Sequence, residues 1–429
     1  MKLIYRDTHF KLPVMFALIF LFVLLTNDSL ILLLFGDTDL GSEKIPFKVL
    51  AGITIIFSLL NFPSYPMLIK KYFIIVFILL IIVVLESYYS YNSFFQYPHV
   101  FSKLIIVFYF FLVYPYFIKN TSKKLRIIAF LILAIFVLDI ILYNDQVLTI
   151  SSFMETDRGF SAGAVYLLLL PCLYFLNRYT MKYSFFDLGV FLATLFLIIF
   201  LQHRTVWIAT AIAIILNFYL LRKKNDQKLR MESIGIMVVI SIVLLLIVSS
   251  LVLTKNPEIL DKFSDRFSDI VNYKTQGTGG WRYEQFSSYM PFIKKHILYG
   301  MRFEGFELPI QFYDHNNRQP WEDGTGHHIH SFYVDILFYF GIVGFLLLIA
   351  PIIYLIRMTI KLKSLTHFQI GLISFVLSGI TYGLTYNLPT FYFSILGIAY
   401  ASIYPSYKAL REEEQKQETT KPEKIEQLA

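Results

Sequence analysis

The chain has a single cysteine, Cys172, in 429 residues, so no disulfide can form within it and cysteine usage says nothing of the redox compartment. Charge is also scarce. Only 16% of residues are charged and mean hydropathy is +0.60, which excludes an ordinary soluble globule. No internal repeat is evident, and the HExxH pattern of zinc proteases does not occur. Aspartate and glutamate (30) are outnumbered by lysine and arginine (38), a net charge of +8. In a soluble protein that excess would suggest nucleic acid. Here the basic residues lie between hydrophobic runs, so topology explains them and no nucleic-acid partner is expected.

What the chain has in abundance is apolar and aromatic residue, with 43 Phe and 30 Tyr, as suits lipid-facing and interfacial positions. A spanning helix needs roughly 20 apolar residues. Runs at 12–35, 45–61, 72–87, 101–118, 125–143, 160–177, 185–201, 205–221, 233–253, 329–356, 368–386 and 390–404 predict an all-α integral membrane protein of about 12 transmembrane helices. The runs at 72–87 and 390–404 are short and fit tilted or partly re-entrant segments. Residues 1–11 and the run after them resemble a signal peptide, but the run is too long and lacks a small-residue cleavage site. It reads as an uncleaved first span.

Basic residues orient the spans. One set of connections carries Lys2, Arg6 and Lys11; Lys70 and Lys71; Lys119, Lys123 and Lys124; Arg178 and Lys182; Arg222, Lys223, Lys224, Lys228 and Arg230; and Arg357, Lys361 and Lys363. The alternate connections hold little beyond Lys44, Arg158 and Arg204. Both termini are therefore expected in the cytoplasm. The chain divides into spans one to nine (1–253), a large outer loop (254–328), spans ten to twelve (329–404) and a Glu/Gln/Lys-rich cytoplasmic tail (405–429) expected to be disordered.

An outer loop of this length usually carries function or its own structure. Residues 257–271 put Ile259, Leu260, Phe263, Phe267, Ile270 and Val271 on one helical face, an amphipathic helix suited to a bilayer surface. Residues 275–280 break it. A second helix is expected from Trp281 to Tyr299, kinked at Pro291, and the flexible 323–326 turn delivers His327, His328 and His330 to the start of span ten. The loop is expected to cap the outer helix ends.

The candidate site residues lie in and around this loop. Arg204, in Gln202-His203-Arg204-Thr205, joins two spans with almost no loop, so its guanidinium falls at the outer interface. A snorkelling arginine is one reading. The other is an anion site, because a positive charge there works against the topology and arginine's fork suits phosphate. Arg282, beside Gly279, Gly280 and Trp281, admits the same two readings; Arg302, Lys294 and Lys295 fit surface charge better. The histidines have three readings: a zinc site of His327, His328 and His330, solvated side chains, or a general base, the leading one, since histidine titrates near neutrality. Asp335 falls near the helical face of His328 and Ser331, as an orienting carboxylate or a buried polar residue.

These segments together resemble the bacterial O-antigen ligase and O-antigen polymerase superfamily. The resemblance lies in Gln202-His203-Arg204-Thr205-Val206-Trp207, in Gly280-Trp281-Arg282-Tyr283 with the stretch from Pro291 to Gly300, and in His328-Ile329-His330-Ser331-Phe332 leading to Phe340-Gly341-Ile342-Val343-Gly344. The outer loop between spans nine and ten matches too. Family members usually carry Asn where Ser331 stands.

The resemblance implies a metal-independent glycosyltransferase of the bacterial inner membrane, without a cofactor, that takes glycan from undecaprenyl diphosphate. The residues read on their own fit this: Arg204 and Arg282 suit the diphosphate and His330 the base, with His328, Asp335, Arg302 and Trp281 as further candidates for support. The acceptor is a saccharide, either a lipid-linked repeat unit (polymerase) or lipid A-core (ligase). The His-x-His arrangement is seen in ligases, the Trp-Arg and Gly-x-x-Gly context in polymerases, which are slightly favoured. A twelve-span transporter is the alternative from another class, though transporters tend to show related halves and ionisable residues near mid-span.

Overall fold

The computed structural model describes residues 44–118, 121–142, 144–155, 159–226, 234–240, 277–308 and 329–426, with isolated positions at 13, 14, 17, 18, 21, 232, 242, 243, 246, 261, 264 and 268. The expected spans 12–35 and 233–253 therefore lie largely outside the described residues. So do the amphipathic helix at 257–271, the 323–326 turn, His327 and His328.

The described residues are helical, with one isolated bridge between Asn225 and Leu365. In order they form α1 (Lys44–Asn61), α2 (Met67–Tyr91), α3 (Pro98–Ile105), α4 (Phe108–Phe117), α5 (Thr121–Leu142), α6 (Ile150–Glu155), α7 (Ala162–Leu167), α8 (Leu169–Lys182), α9 (Phe185–Phe200), α10 (Arg204–Lys224), α11 (Gly277–Lys295), α12 (Arg302–Glu307), α13 (Phe332–Lys361), α14 (His367–Tyr382) and α15 (Thr390–Glu426). Taking α3 with α4 and α7 with α8, six helices are long and apolar enough to cross a membrane, and three shorter apolar helices lie at Lys48–Ser64, Phe185–Phe200 and His367–Tyr382. The all-α membrane fold stands. The expected number of twelve spans is not reached among the described residues.

Burial separates centre from rim. The apolar stretch of Ala162–Lys182 is 89% buried and that of Met67–Tyr91 only 28%. On α2, Ile69, Phe73, Val76, Leu80, Val83 and Ser87 face inward at helical spacing, while Ile74, Ile75, Ile78, Ile81, Ile82 and Leu85 are exposed. Such an apolar outer face is stable in hydrocarbon and not in water. α10 and α8 both pack on α14, and α15 packs on α4. A Cβ on Gly397 would lie 2.5 Å from the Phe110 carbonyl oxygen, so a glycine there lets the two backbones approach.

Several expectations on length are corrected. α2 is 25 residues, not a short run, because it starts at Met67, takes Lys70 and Lys71 into its first two turns and runs on to Tyr91. α15 continues through the tail to Glu426 in place of a disordered segment, in a sequence of strong helix formers, with exposed pairs at Lys408–Glu412 (3.5 Å) and Lys361–Glu414 (3.9 Å). α11 starts at Gly277, ahead of the expected restart at Trp281, and Pro291 lies inside it.

The largest departure is α13. It is 30 residues long, and Gly341 (φ 59°, ψ −160°) is not helical. Here residues 297–301 of the expected cap dock against the break by backbone hydrogen bonds, with Ile297, Leu298 and Tyr299 exposed. Met301 N–H donates to the Phe338 carbonyl (2.8 Å), Ile342 N–H to that of Ile297 (2.8 Å) and Val343 N–H to that of Leu298 (3.2 Å). The segment thus takes the place of the missing helical partners. The loop does more than cover helix ends.

The ends of α10 and α13 fix the frame. At one end Lys224 Nζ donates to the carbonyls of Thr359 (2.8 Å), Ile360 (2.6 Å) and Leu362 (2.7 Å), and Leu365 N–H to the Lys224 carbonyl (2.7 Å). An ammonium on the last carbonyls of a helix also meets the negative end of its dipole. Lys182, Arg222, Lys223 and Lys361, in the last turns of α8, α10 and α13, belong to the same basic end. α10 covers the distance to the opposite end in 21 residues, where α13 uses 30.

Candidate active site

The candidate residues gather at the end of the bundle opposite Lys224. The turn from α9 to α10 is built by Gln202 in the left-handed region (φ 55°), whose amide donates to the Phe153 carbonyl (2.7 Å), and by His203, whose Nε2 donates to the Phe160 carbonyl (2.9 Å). Both side chains are buried. This brace sets Arg204 as the first residue of α10, half-buried, where a guanidinium adds to the positive end of the helix dipole. The next residue, Thr205, joins its hydroxyl to that of Thr385 (2.7 Å) in the turn between α14 and α15.

α11 brings Arg282 to the same turn. Its guanidinium carbon lies 4.8 Å from the centroid of the Tyr386 ring, and its Nε is buried with no hydrogen-bond partner among the described residues. One turn on, Gln285 is buried and accepts the His330 backbone N–H through Oε1 (3.0 Å). One further turn on, Tyr289 packs against Phe338 (5.3 Å). Arg282, Gln285 and Tyr289 thus form the face that α11 lays along the start of α13.

His330 precedes α13 in a bend held to residues 383–387. Phe332 N–H reaches the carbonyls of Gly383 (3.0 Å) and Tyr386 (3.3 Å), Ser331 Oγ donates to the Gly383 carbonyl (3.4 Å), and the Asn387 amide donates to the Ile329 carbonyl (3.3 Å). The His330 ring stands edge-on to Tyr386 at 6.3 Å. Tyr386 stacks on Tyr382 (5.3 Å), and Tyr382 on Tyr166 (4.4 Å) in the buried centre. Arg204 through its neighbour, Arg282 and His330 therefore meet on one turn. That turn carries little signal in the sequence, because Thr385, Tyr386 and Asn387 have no charge and match no motif; one tyrosine and one proline stand between the helices.

The supporting candidates have other partners. Asp335 forms an ion pair with Lys103 of α3, both almost fully buried; Lys103 Nζ is also 2.9 Å from His99 Nε2 and 4.5 Å from the Tyr339 ring centroid. An ionisable residue inside an apolar run is expected to find a partner within the bundle, as Lys103 does. Arg302 binds Glu86 (2.7 Å), a pair beside Tyr97, whose phenol is shifted upward by the hydrogen bond it gives Glu307 (2.8 Å). Side chains of 277–281, Trp281 among them, and His327 and His328 are outside the described residues, so the zinc reading is left on His330 alone of its three members.

The apolar helical bundle is that of a multi-pass membrane protein, with Arg204, Arg282 and His330 collected at one of its ends. Residues 189–349, less than half of the chain, match the family described as O-antigen ligase, and this match supports a place in the O-antigen ligase and polymerase superfamily. Function of that membrane, glycosyl-transferring type in polysaccharide biosynthesis is supported with it. No curated protein matches the chain. The matched segment contains Arg204, Arg282 and His330 and ends before Thr385 and Tyr386.

Proposed function

We propose that the protein is a polymerase of surface polysaccharide that transfers glycan from undecaprenyl diphosphate to a sugar hydroxyl at the outer face of the bacterial inner membrane, with both termini in the cytoplasm. The acceptor oxygen attacks the anomeric carbon of the donor, the bond from that carbon to the diphosphate oxygen breaks, and the electron pair leaves on the diphosphate. Arg204 and Arg282 hold that group and offset the charge that grows on it. His330 takes the acceptor proton. The step balances without a metal or redox cofactor.

The observation that carries this reading is the convergence of the Arg204 helix start, Arg282 and His330 on the turn holding Thr385 and Tyr386. A ligase, which passes finished polymer to lipid A-core, has the same donor chemistry and is favoured by His328-Ile329-His330 and by the description of the matched family. Deleting the gene separates the two. Single repeats on the lipid core are expected for a lost polymerase, whereas long polymer stranded on the carrier would identify a ligase. Normal surface polymer would reject both.

A further inference from the structure

Arg282 and Arg302, both of the outer loop, are held in opposite ways. Arg302 lies against the carboxylate of Glu86, which occupies its donor and offsets its charge. Arg282 lies over the face of Tyr386, and its buried Nε has no hydrogen-bond partner among the described residues. A ring face attracts a guanidinium through the quadrupole but takes none of its in-plane N–H donors and none of its charge. A buried charged donor left in that state is costly unless a ligand completes it. Arg282 is the arginine arranged to receive an anion.

We infer that Tyr386 is a positioning residue, holding the Arg282 guanidinium at the donor diphosphate and at a fixed distance from His330. The inference rests on the reading of Arg282 as a diphosphate ligand and adds a residue outside the segment matched by the family model. The ring is itself fixed, stacked on Tyr382 and through it on Tyr166. Its backbone carbonyl accepts the N–H of Phe332, two residues after His330. One residue therefore ties the anion-holding group to the segment carrying the base. A carboxylate in its place would hold Arg282 as firmly, but would repel the diphosphate.

The test uses the full-length protein in nanodiscs, with glycan-free undecaprenyl diphosphate as the probe. Tyr386→Phe keeps the ring and is expected to bind like wild type. Tyr386→Leu removes the π face and is expected to weaken binding between about two-fold and thirty-fold, the range spanned by cation–π contacts. In an Arg282→Ala background the same change is expected to cost nothing more, because the group it positions is gone; a merely structural tyrosine would add its loss in full. Additive losses, or a Tyr386→Phe variant as weak as Tyr386→Leu, overturn the inference. So does wild-type binding by Tyr386→Leu where Arg282→Ala binds poorly, with the donor reading left standing. Wild-type binding by Arg282→Ala overturns the donor reading itself. Should Tyr386→Leu fail to accumulate, Tyr386→Met, closer in volume and also without a ring, carries the same expectation.

Discussion

Ile342 donates its backbone N–H to the carbonyl of Ile297 at 2.8 Å, across the break in α13. In an unbroken helix that hydrogen would go to Phe338, whose carbonyl instead accepts from Met301. The exchange is possible because Gly341 and Gly300 leave the two backbones in contact: a Cβ on Gly341 would lie 2.6 Å from the Gly300 nitrogen and 2.5 Å from the Leu298 carbonyl. Gly341 also occupies a region of φ and ψ that is nearly glycine's alone.

Gly341→Ala is therefore expected to destabilise the protein by at least about 1–3 kcal/mol from backbone strain alone. The thermal unfolding midpoint of the detergent-purified variant should fall clearly below wild type. An unchanged midpoint would mean that the break and its docked segment do not contribute to the fold.

Arg204→Lys keeps the charge and loses the planar fork. Loss of one charge-assisted hydrogen bond to the donor, about 1.5–3 kcal/mol, should reduce transfer about tenfold or more with accumulation in the membrane unchanged. Near-normal polymer from this variant would return Arg204 to a snorkelling interfacial residue.

His330→Ala should lower the transfer rate by about 10²–10⁴-fold, the range for a general base, with donor binding largely kept by the arginines. His327→Ala and His328→Ala should cost less, and a chelator should leave the wild type unaffected. Activity lost to chelator and restored by zinc would favour a metal site. Equal, mild losses at all three histidines would leave neither account standing.

Removing one member of the buried Lys103–Asp335 pair strands the other charge. Lys103→Met is expected to cost about 3–5 kcal/mol, and the double variant Lys103→Met with Asp335→Leu to recover most of it. Unfolding midpoints of the two variants decide this; a double variant as unstable as the single would show that the charges serve more than each other. Activity of the stable double variant reports whether either residue also serves the substrate.

Much of the architecture was legible in the sequence, because it rests on local signals. The starts of α9 and α10 fall within a residue of the expected positions: Ser184 caps the first, accepting the Asp187 N–H, and Gln202 and His203 stop the chain before the second. Arg204, Arg282 and His330 were likewise visible as polar residues in an apolar chain, and the structure brings them to one turn. What escaped was non-local. Gly341 read as punctuation in a smooth span, since its partner segment lies some forty residues earlier. Asp335 was placed by helical angle toward His328 and Ser331, while its ion-pair partner is 232 residues away. Lys103 vanished into the average hydropathy of its run, and Tyr386 had nothing to distinguish it from 29 other tyrosines.

The three hydrogen bonds from Lys224 to the last carbonyls of α13 lie at the far end of the bundle from the chemistry, yet they bear on it through leverage. They join α10 and α13 at a common pivot, and Arg204 rides at the other tip of a 21-residue arm. Such an arm is ~30 Å long, so a tilt of ~1° about the pivot carries its tip by ~0.5 Å. Misplacement of a reacting group by about 1 Å can cost about 10²-fold in rate. If the site works as proposed, a lysine that touches no substrate bears on it through this arm, and loosening Lys224 is expected to slow transfer from the far end of the bundle.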